Sequence, residues 1–147
     1  MTTAAPTTSP CKAVMLGVSC CLAFWVVFVG ACQQTRTATH GQDRRVMAGF
    51  AFGTLTANLP QTVSVSQVHA AAESVLLDRG YSIEGSACTL DNARVRARSR
   101  VDGRDETTTI AARVIPSGVR VAIEAGLLGD EAVSRALLDD LLARLGR

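Results

Sequence analysis

Apolar and polar residues alternate in three different ways along this chain. From Ala13 to Val29 runs an apolar stretch without a charge; from Gln33 to about Ala48 the residues are polar and follow no period. From Phe50 onward the pattern has a readable rhythm. Phe50 to Leu59, rich in Thr and aromatics, predicts a strand closed by Asn58-Leu59-Pro60, where proline ends the ladder. Ser64 and Gln67 form a capping box, and Val65, Val68, Ala72, Val75 and Leu76 recur at helical spacing up to a stop at Gly80. Tyr81 to Leu90 reads as extended, with the phase of Tyr81 and Ile83 slipping by one residue to that of Cys88 and Leu90. That slip predicts a bulge around Gly85.

A turn at Asp91-Asn92 precedes the most regular segment. Ala93, Val95, Ala97 and Ser99 alternate with Arg94, Arg96, Arg98 and Arg100, so the two sets occupy opposite faces of one strand. Asp102-Gly103 is a strong hairpin signal, and pairing Val101 with Arg104 across it sets Val95 against Ile110, Ala97 against Thr108 and Arg100 against Asp105. A second turn at Ser117-Gly118 predicts Val114 opposite Val121 and Ala112 opposite Ile123, with Arg113, Arg120 and Glu124 joining the arginine face. The last strand ends at Gly126. Asp130 caps a final helix whose stripe is Val133, Leu137, Leu138, Leu141, Leu142 and Leu145, ending at Gly146.

The predicted order is strand, helix, four strands, helix. A sheet of this kind has one apolar and one polar face, and two amphipathic helices must both bury a stripe. The expected fold is therefore a two-layer α+β domain over residues 49–147, with a mainly antiparallel sheet of about five strands and two helices packed on one face.

The N-terminal pattern concerns location. Lys12, the apolar run, and then Val29-Gly30-Ala31-Cys32 have the layout of a bacterial lipoprotein signal: residues 1–31 form the signal peptide and Cys32 becomes the acylated N-terminus. Residues 32–48 then serve as a flexible tether. Several acyl chains at Cys32 give a stable anchor. The alternative is an uncleaved single-pass membrane anchor, because a run of this length can span a bilayer. Gln33 is not the aspartate associated with inner-membrane retention, so the expected place is the periplasmic side of the outer membrane, ahead of the inner.

Charge and cysteine usage narrow the chemistry. With 147 residues and a net charge of +2, the chain is no polybasic nucleic-acid binder. Cys11, Cys20 and Cys21 fall in the signal and Cys32 carries lipid, so Cys88 is left alone, read as a small buried hydrophobe with no internal disulfide to form. His40 lies in the tether, and His69, inside the first helix, is read without a partner. No metal site is expected from them, since zinc needs three or four convergent ligands. No phosphate loop follows a strand, no nucleophile-base set is assembled, and Asp139-Asp140 point in different directions on a helix. The expectation is a non-enzyme without a cofactor.

What remains is the arginine face. Arg94, Arg96, Arg98, Arg100, Arg113 and Arg120 cluster on the polar side of the sheet, where guanidinium groups suit phosphate or carboxylate. The candidate partners are an anionic headgroup or an envelope protein. The competing reading is a solvated face that pairs with Asp105, Glu106 and Glu124.

The stretch Gly126-Leu127-Leu128-Gly129-Asp130-Glu131, then Ser134 and the paired leucines, with the order of elements from Phe50, resembles an uncharacterised family of small bacterial lipoproteins known as a domain of unknown function. The resemblance covers about the last hundred residues, and its most specific piece is Gly-x-x-Gly-Asp-x-x-x-Ser. Glu124-Ala125 departs from the arginine and valine usual there. The family implies no activity to carry over. At the level of fold alone, the element order is also similar to helix-grip modules of accessory lipoproteins in envelope machines.

Overall fold

A computed structural model describes residues 36–41, 46–101 and 104–147. The apolar run, the Cys32 junction and the Asp102-Gly103 turn lie outside the described residues. The elements are β1 (Arg36–His40), β2 (Val46–Ala51), β3 (Thr54–Pro60), α1 (Val65–Asp78), β4 (Ser82–Cys88), β5 (Asn92–Val101), β6 (Arg104–Ile115), β7 (Gly118–Ala125) and α2 (Glu131–Arg144). The strands form one sheet in the order β1-β2-β3-β7-β6-β5-β4, antiparallel at every junction. α1 carries the chain from β3, inside the sheet, to β4 at its edge.

The fold is α+β with an antiparallel sheet and two helices, as the pattern predicts, but the sheet has seven strands where about five were expected. Two causes account for the difference. β1 lies within the stretch read as a tether: its sequence, Arg-Thr-Ala-Thr-His, has no apolar period because an edge strand has little to bury. Its two threonines nevertheless favour extended backbone. The second cause is that the predicted strand from Phe50 to Leu59 is a hairpin folded in its middle. Phe52 and Gly53 both take positive φ, +51° and +78°, which is the twist a two-residue hairpin turn needs. An aromatic residue is a rare choice there, so no turn signal marks the site.

Both helices pack on the same face. Val65, Val68, Ala72, Val75 and Leu76 of α1 and Leu137, Leu138, Leu141 and Leu142 of α2 are buried against Leu55, Leu59, Val95, Ile110, Val121 and Ile123 of the sheet. Each leucine so buried contributes about 2 kcal/mol of transfer free energy. The helix starts follow the sequence signals: the Ser64 hydroxyl accepts from the Gln67 N–H at 3.2 Å while Gln67 Oε1 accepts from the Ser64 N–H at 2.9 Å. Asp130 Oδ1 accepts from the Val133 N–H at 3.0 Å.

α2 also holds the edge strand. His40 is buried, with Nδ1 2.8 Å from Asp139 Oδ1 and Nε2 2.8 Å from Arg135 Nη1. A guanidinium only donates, so Nε2 accepts and the Nδ1–H donates to the carboxylate. The neighbouring Asp140 points elsewhere and accepts from Arg79 Nε at 2.7 Å, joining the two helices.

Strand registers separate what turn chemistry can and cannot decide. The β5–β6 register is as predicted: Val95 opposes Ile110, Ala97 opposes Thr108, and Arg100 opposes Asp105. The β4–β5 ladder shifts between Ile83 and Gly85, at the expected bulge. The β6–β7 register differs by two residues, because the turn is Pro116-Ser117 and Gly118 belongs to the strand. Val114 faces Val119, Ala112 faces Val121, and Arg113 faces Arg120. An even shift keeps every side chain on its predicted face.

Gly118 is held there by space. With φ +139°, a Cβ at this position would lie 2.0 Å from the Leu59 carbonyl oxygen. Gly118→Ala is therefore expected to lower stability by about 2–4 kcal/mol. Gly85→Ala, which meets nothing within 4 Å, should stay within about 0.5 kcal/mol of the parent. Urea unfolding of the two variants checks both values, and equal losses would show that the close β3–β7 approach is not rigid.

Candidate functional site

With both helices on one side, the other face of the sheet is covered by no described element. Strict alternation on β5 sends Ala93, Val95 and Ala97 to the buried side and Arg94, Arg96 and Arg98 to the open one. Arg113 of β6 and Arg120 of β7 are exposed on the same side. Arg100 is in register with Asp105 at the end of the row. Five of the six predicted arginines thus share the open face, and the side chain of the sixth, Arg100, lies outside the described residues.

The structure divides these arginines into two groups. Near the β5–β6 hairpin end, Glu84 is the extra residue of the β4 bulge, and its carboxylate reaches Arg98 Nε at 2.8 Å and Arg96 Nε at 3.5 Å. Arg98 also lies 4.0 Å from Asp105. The second group sits toward the Pro116-Ser117 end. Arg113 and Arg120 are directly opposite on neighbouring strands, so their Cα atoms are roughly 4.5–5.5 Å apart. Arg94 is the diagonal neighbour of Arg113, because Asn92 is the residue paired with it. Arg120 Nε donates to Asn58 Oδ1 at 3.2 Å. Among the described residues, none of these three arginines makes an ion pair with a carboxylate.

Ala111 and Ala122, paired with each other, lie between Arg94 and the end of the row and form a low neutral floor. Like charges directly opposite in a sheet repel by up to about 1 kcal/mol. An anion held between the guanidinium groups would reverse that sign. The pairing of Arg113 with Arg120 escapes the sequence, which places Arg120 opposite Ile115. The role of Glu84 was open to discovery, because a bulge residue changes face and this one falls between two phases of the pattern.

Cys88 is exposed, not the buried hydrophobe expected, because it lies at the end of the edge strand β4, nearly all of whose residues are exposed. His69, read as having no partner, has two, and one of them, Glu73, stands at the i+4 position in the sequence. Its Nε2 is 2.6 Å from Ser86 Oγ on β4, and the Ser86 hydroxyl donates to Glu73 Oε1 at 2.5 Å. Glu73 stands one turn along α1 from His69, at 3.7 Å. The carboxylate and the imidazole both contact the serine, and the carboxylate does not orient the ring from its far nitrogen as a nucleophilic triad requires. The cluster fastens the outer strand to α1. Among the described residues no group of His, Cys, Asp and Glu converges as metal ligands do.

The Gly126 to Ser134 motif has a structural explanation. Gly126 and Gly129 take φ +74° and +76°, Asp130 caps α2, and Ser134 is fully buried on its inner side. No helix among the described residues is long and apolar enough to cross a membrane. No family model matches the chain, and no curated protein matches it either.

Replacing Arg94, Arg113 and Arg120 together with Ser is expected to change stability by less than about 1 kcal/mol, since the three are exposed and lack carboxylate partners among the described residues. A Tm shift in either direction of only a few degrees fits that reading. A large loss would mean that these side chains pack against the sheet.

Proposed function

We propose that this is a lipid-anchored cell-envelope protein, distantly of the small lipoprotein family it resembles, whose domain works as a binding or assembly module and not as an enzyme. Its working surface is the open face of the sheet. The observation that supports this reading most is the trio of Arg94, Arg113 and Arg120: two of them are directly opposite on neighbouring strands beside the neutral pair of Ala111 and Ala122, and no carboxylate among the described residues pairs with the three. A face meant only to be solvated is better built with alternating signs, as the Glu84, Arg96 and Arg98 half of the same sheet is. The ligand class is a phosphate- or carboxylate-bearing group, on an envelope molecule or an acidic protein segment.

Lipidation at Cys32 places the domain in the envelope, on the periplasmic side and at the outer membrane ahead of the inner. Intact-mass measurement of the protein from a bacterial membrane fraction is expected to give a chain beginning at Cys32 and carrying acyl groups, and Cys32→Ala should lose both. An unprocessed mass beginning at or near Met1 would replace the lipid by a single transmembrane anchor.

The binding surface has its own test. Titrating the protein with pyrophosphate is expected to shift the side-chain Nε–H resonances of Arg94, Arg113 and Arg120 more than those of Arg96 and Arg98. The triple Ser variant should show no saturable shift. A response equal at all exposed arginines would leave only the screening that any salt gives.

A further inference from the structure

Three of the most exposed large apolar side chains gather at one end of the sheet, while a fourth, Leu90, is 94% exposed at the other. Phe52 is 92% exposed on the β2–β3 turn, and Leu127 and Leu128 are 99% and 90% exposed on the loop between β7 and α2. Single exposed leucines are ordinary, but three large apolar side chains on two adjoining loops are not. The loops are locked together through backbone. A Cβ on Gly129 would lie 2.0 Å from the Gly53 carbonyl oxygen, and one on Gly53 would lie 2.7 Å from that of Leu128. The backbone of Phe52 adds a second oddity: φ +51° is costly for an aromatic, and the ring gains no burial in return.

The chain enters the sheet at this same end. β1 begins at Arg36, which lies opposite Phe50, two residues before the exposed Phe52. Cys32 precedes Arg36 by only four residues, a reach of at most ~14 Å, and Val29 by seven, at most ~25 Å. Whether the anchor is a lipid on Cys32 or the apolar run itself, the chain between it and the domain is joined at Arg36, at this end of the sheet. Ala125, just before the Leu127 loop, is level with Ala97 of β5 through Thr108, so the far end of β5 at Asn92 is about 17 Å farther on, with Leu90 beyond it. Of the carboxylates near the exposed trio, Asp105 and Glu106 of β6 line the same surface depression as Leu127, and three others are engaged. Glu124 accepts from the Thr54 hydroxyl at 3.2 Å, Asp130 caps α2, and Glu131 is 2.8 Å from Arg135.

We propose that this end of the domain is a membrane-seating tip, with Phe52, Leu127 and Leu128 immersed in the interfacial layer of the bilayer that holds the anchor. The inference rests on the membrane-anchored reading above. The driving force is apolar insertion, so a neutral phosphatidylcholine surface suffices. The domain then stands end-on, with the β4–β5 and β6–β7 turns pointing away from the membrane.

The test uses the full chain, purified from membranes and reconstituted in phosphatidylcholine vesicles with and without brominated acyl chains. The only tryptophan, Trp25, is changed to Phe. Single reporters are then placed by Leu127→Trp and Leu128→Trp at the tip, Leu90→Trp at the far end, and Met47→Trp on the open face, with circular dichroism to confirm that each variant is folded. Flotation establishes that the chain is on the vesicles. Bromine is expected to quench the two tip reporters at least about threefold more than the other two, given insertion of about 5–10 Å. A floating chain whose tip reporters are quenched no more than Leu90→Trp overturns the tip and leaves the anchor standing. Strongest quenching at Met47→Trp overturns it in favour of a domain lying on its open face. Tip reporters that shift to the blue without quenching overturn it in favour of a protein partner. A chain that does not float removes the anchor and the tip together.

Discussion

Burial of two helices against a single face of the sheet is the constraint on which everything else in this molecule depends. It requires period-two alternation in β5, β6 and β7, because a slip of one residue would place Arg94, Arg96, Arg113 and Arg120 under the helices. The same alternation that supplies Val95, Ile110 and Val121 to the core sends Arg94, Arg113 and Arg120 to the opposite side. The arginine face is thus a by-product of core formation in its position and a choice only in its composition. Serine or threonine would have satisfied the fold equally well, as Thr107 and Thr109 do on β6.

Close backbone contacts then fix what side-chain packing leaves loose. Gly118 lets β7 approach the end of β3, and Gly53 and Gly129 let the β2–β3 turn touch the loop before α2. These contacts are built without side chains, so they carry no hydrophobic signature, yet they set where the loops sit. The Gly-x-x-Gly-Asp stretch therefore owes its form to geometry: one glycine reverses the chain after β7, the second clears the β2–β3 turn, and the aspartate begins the helix.

How much of this was legible follows from how local each signal is. The caps at Ser64 and Asp130, the bulge near Gly85 and the β5–β6 register are all decided within a few residues, and the sequence states them plainly. β1 was illegible because an edge strand of Thr and Ala has no period to display, and its tie to α2, His40 to Asp139 and Arg135, spans most of the chain. The fold in the middle of Phe50 to Leu59 was hidden because Phe52 occupies a turn position that sequence rules reserve for Asn, Asp or Gly. Five of the six arginines were placed on the right face, since faces survive an even slip of register. Their grouping was not, since the two-residue shift across Pro116-Ser117 is what sets Arg113 against Arg120.

The two surfaces argued for here constrain each other. Arg94, Arg113 and Arg120 lie toward the Pro116-Ser117 end of the sheet, while Phe52, Leu127 and Leu128 lie at the other. A domain seated on the bilayer by its apolar tip holds the arginine trio a good part of a strand length above that surface, beyond one Debye length of about 8 Å at physiological salt. In that posture the headgroups of the same bilayer would be poorly placed to be the anion proposed for the trio. The ligand proposed for the trio would then approach from the aqueous side, as an acidic protein segment or a phosphorylated molecule in transit. Only a domain lying flat would bring its own membrane to the arginines, and that posture would leave Phe52, Leu127 and Leu128 without an environment that explains them.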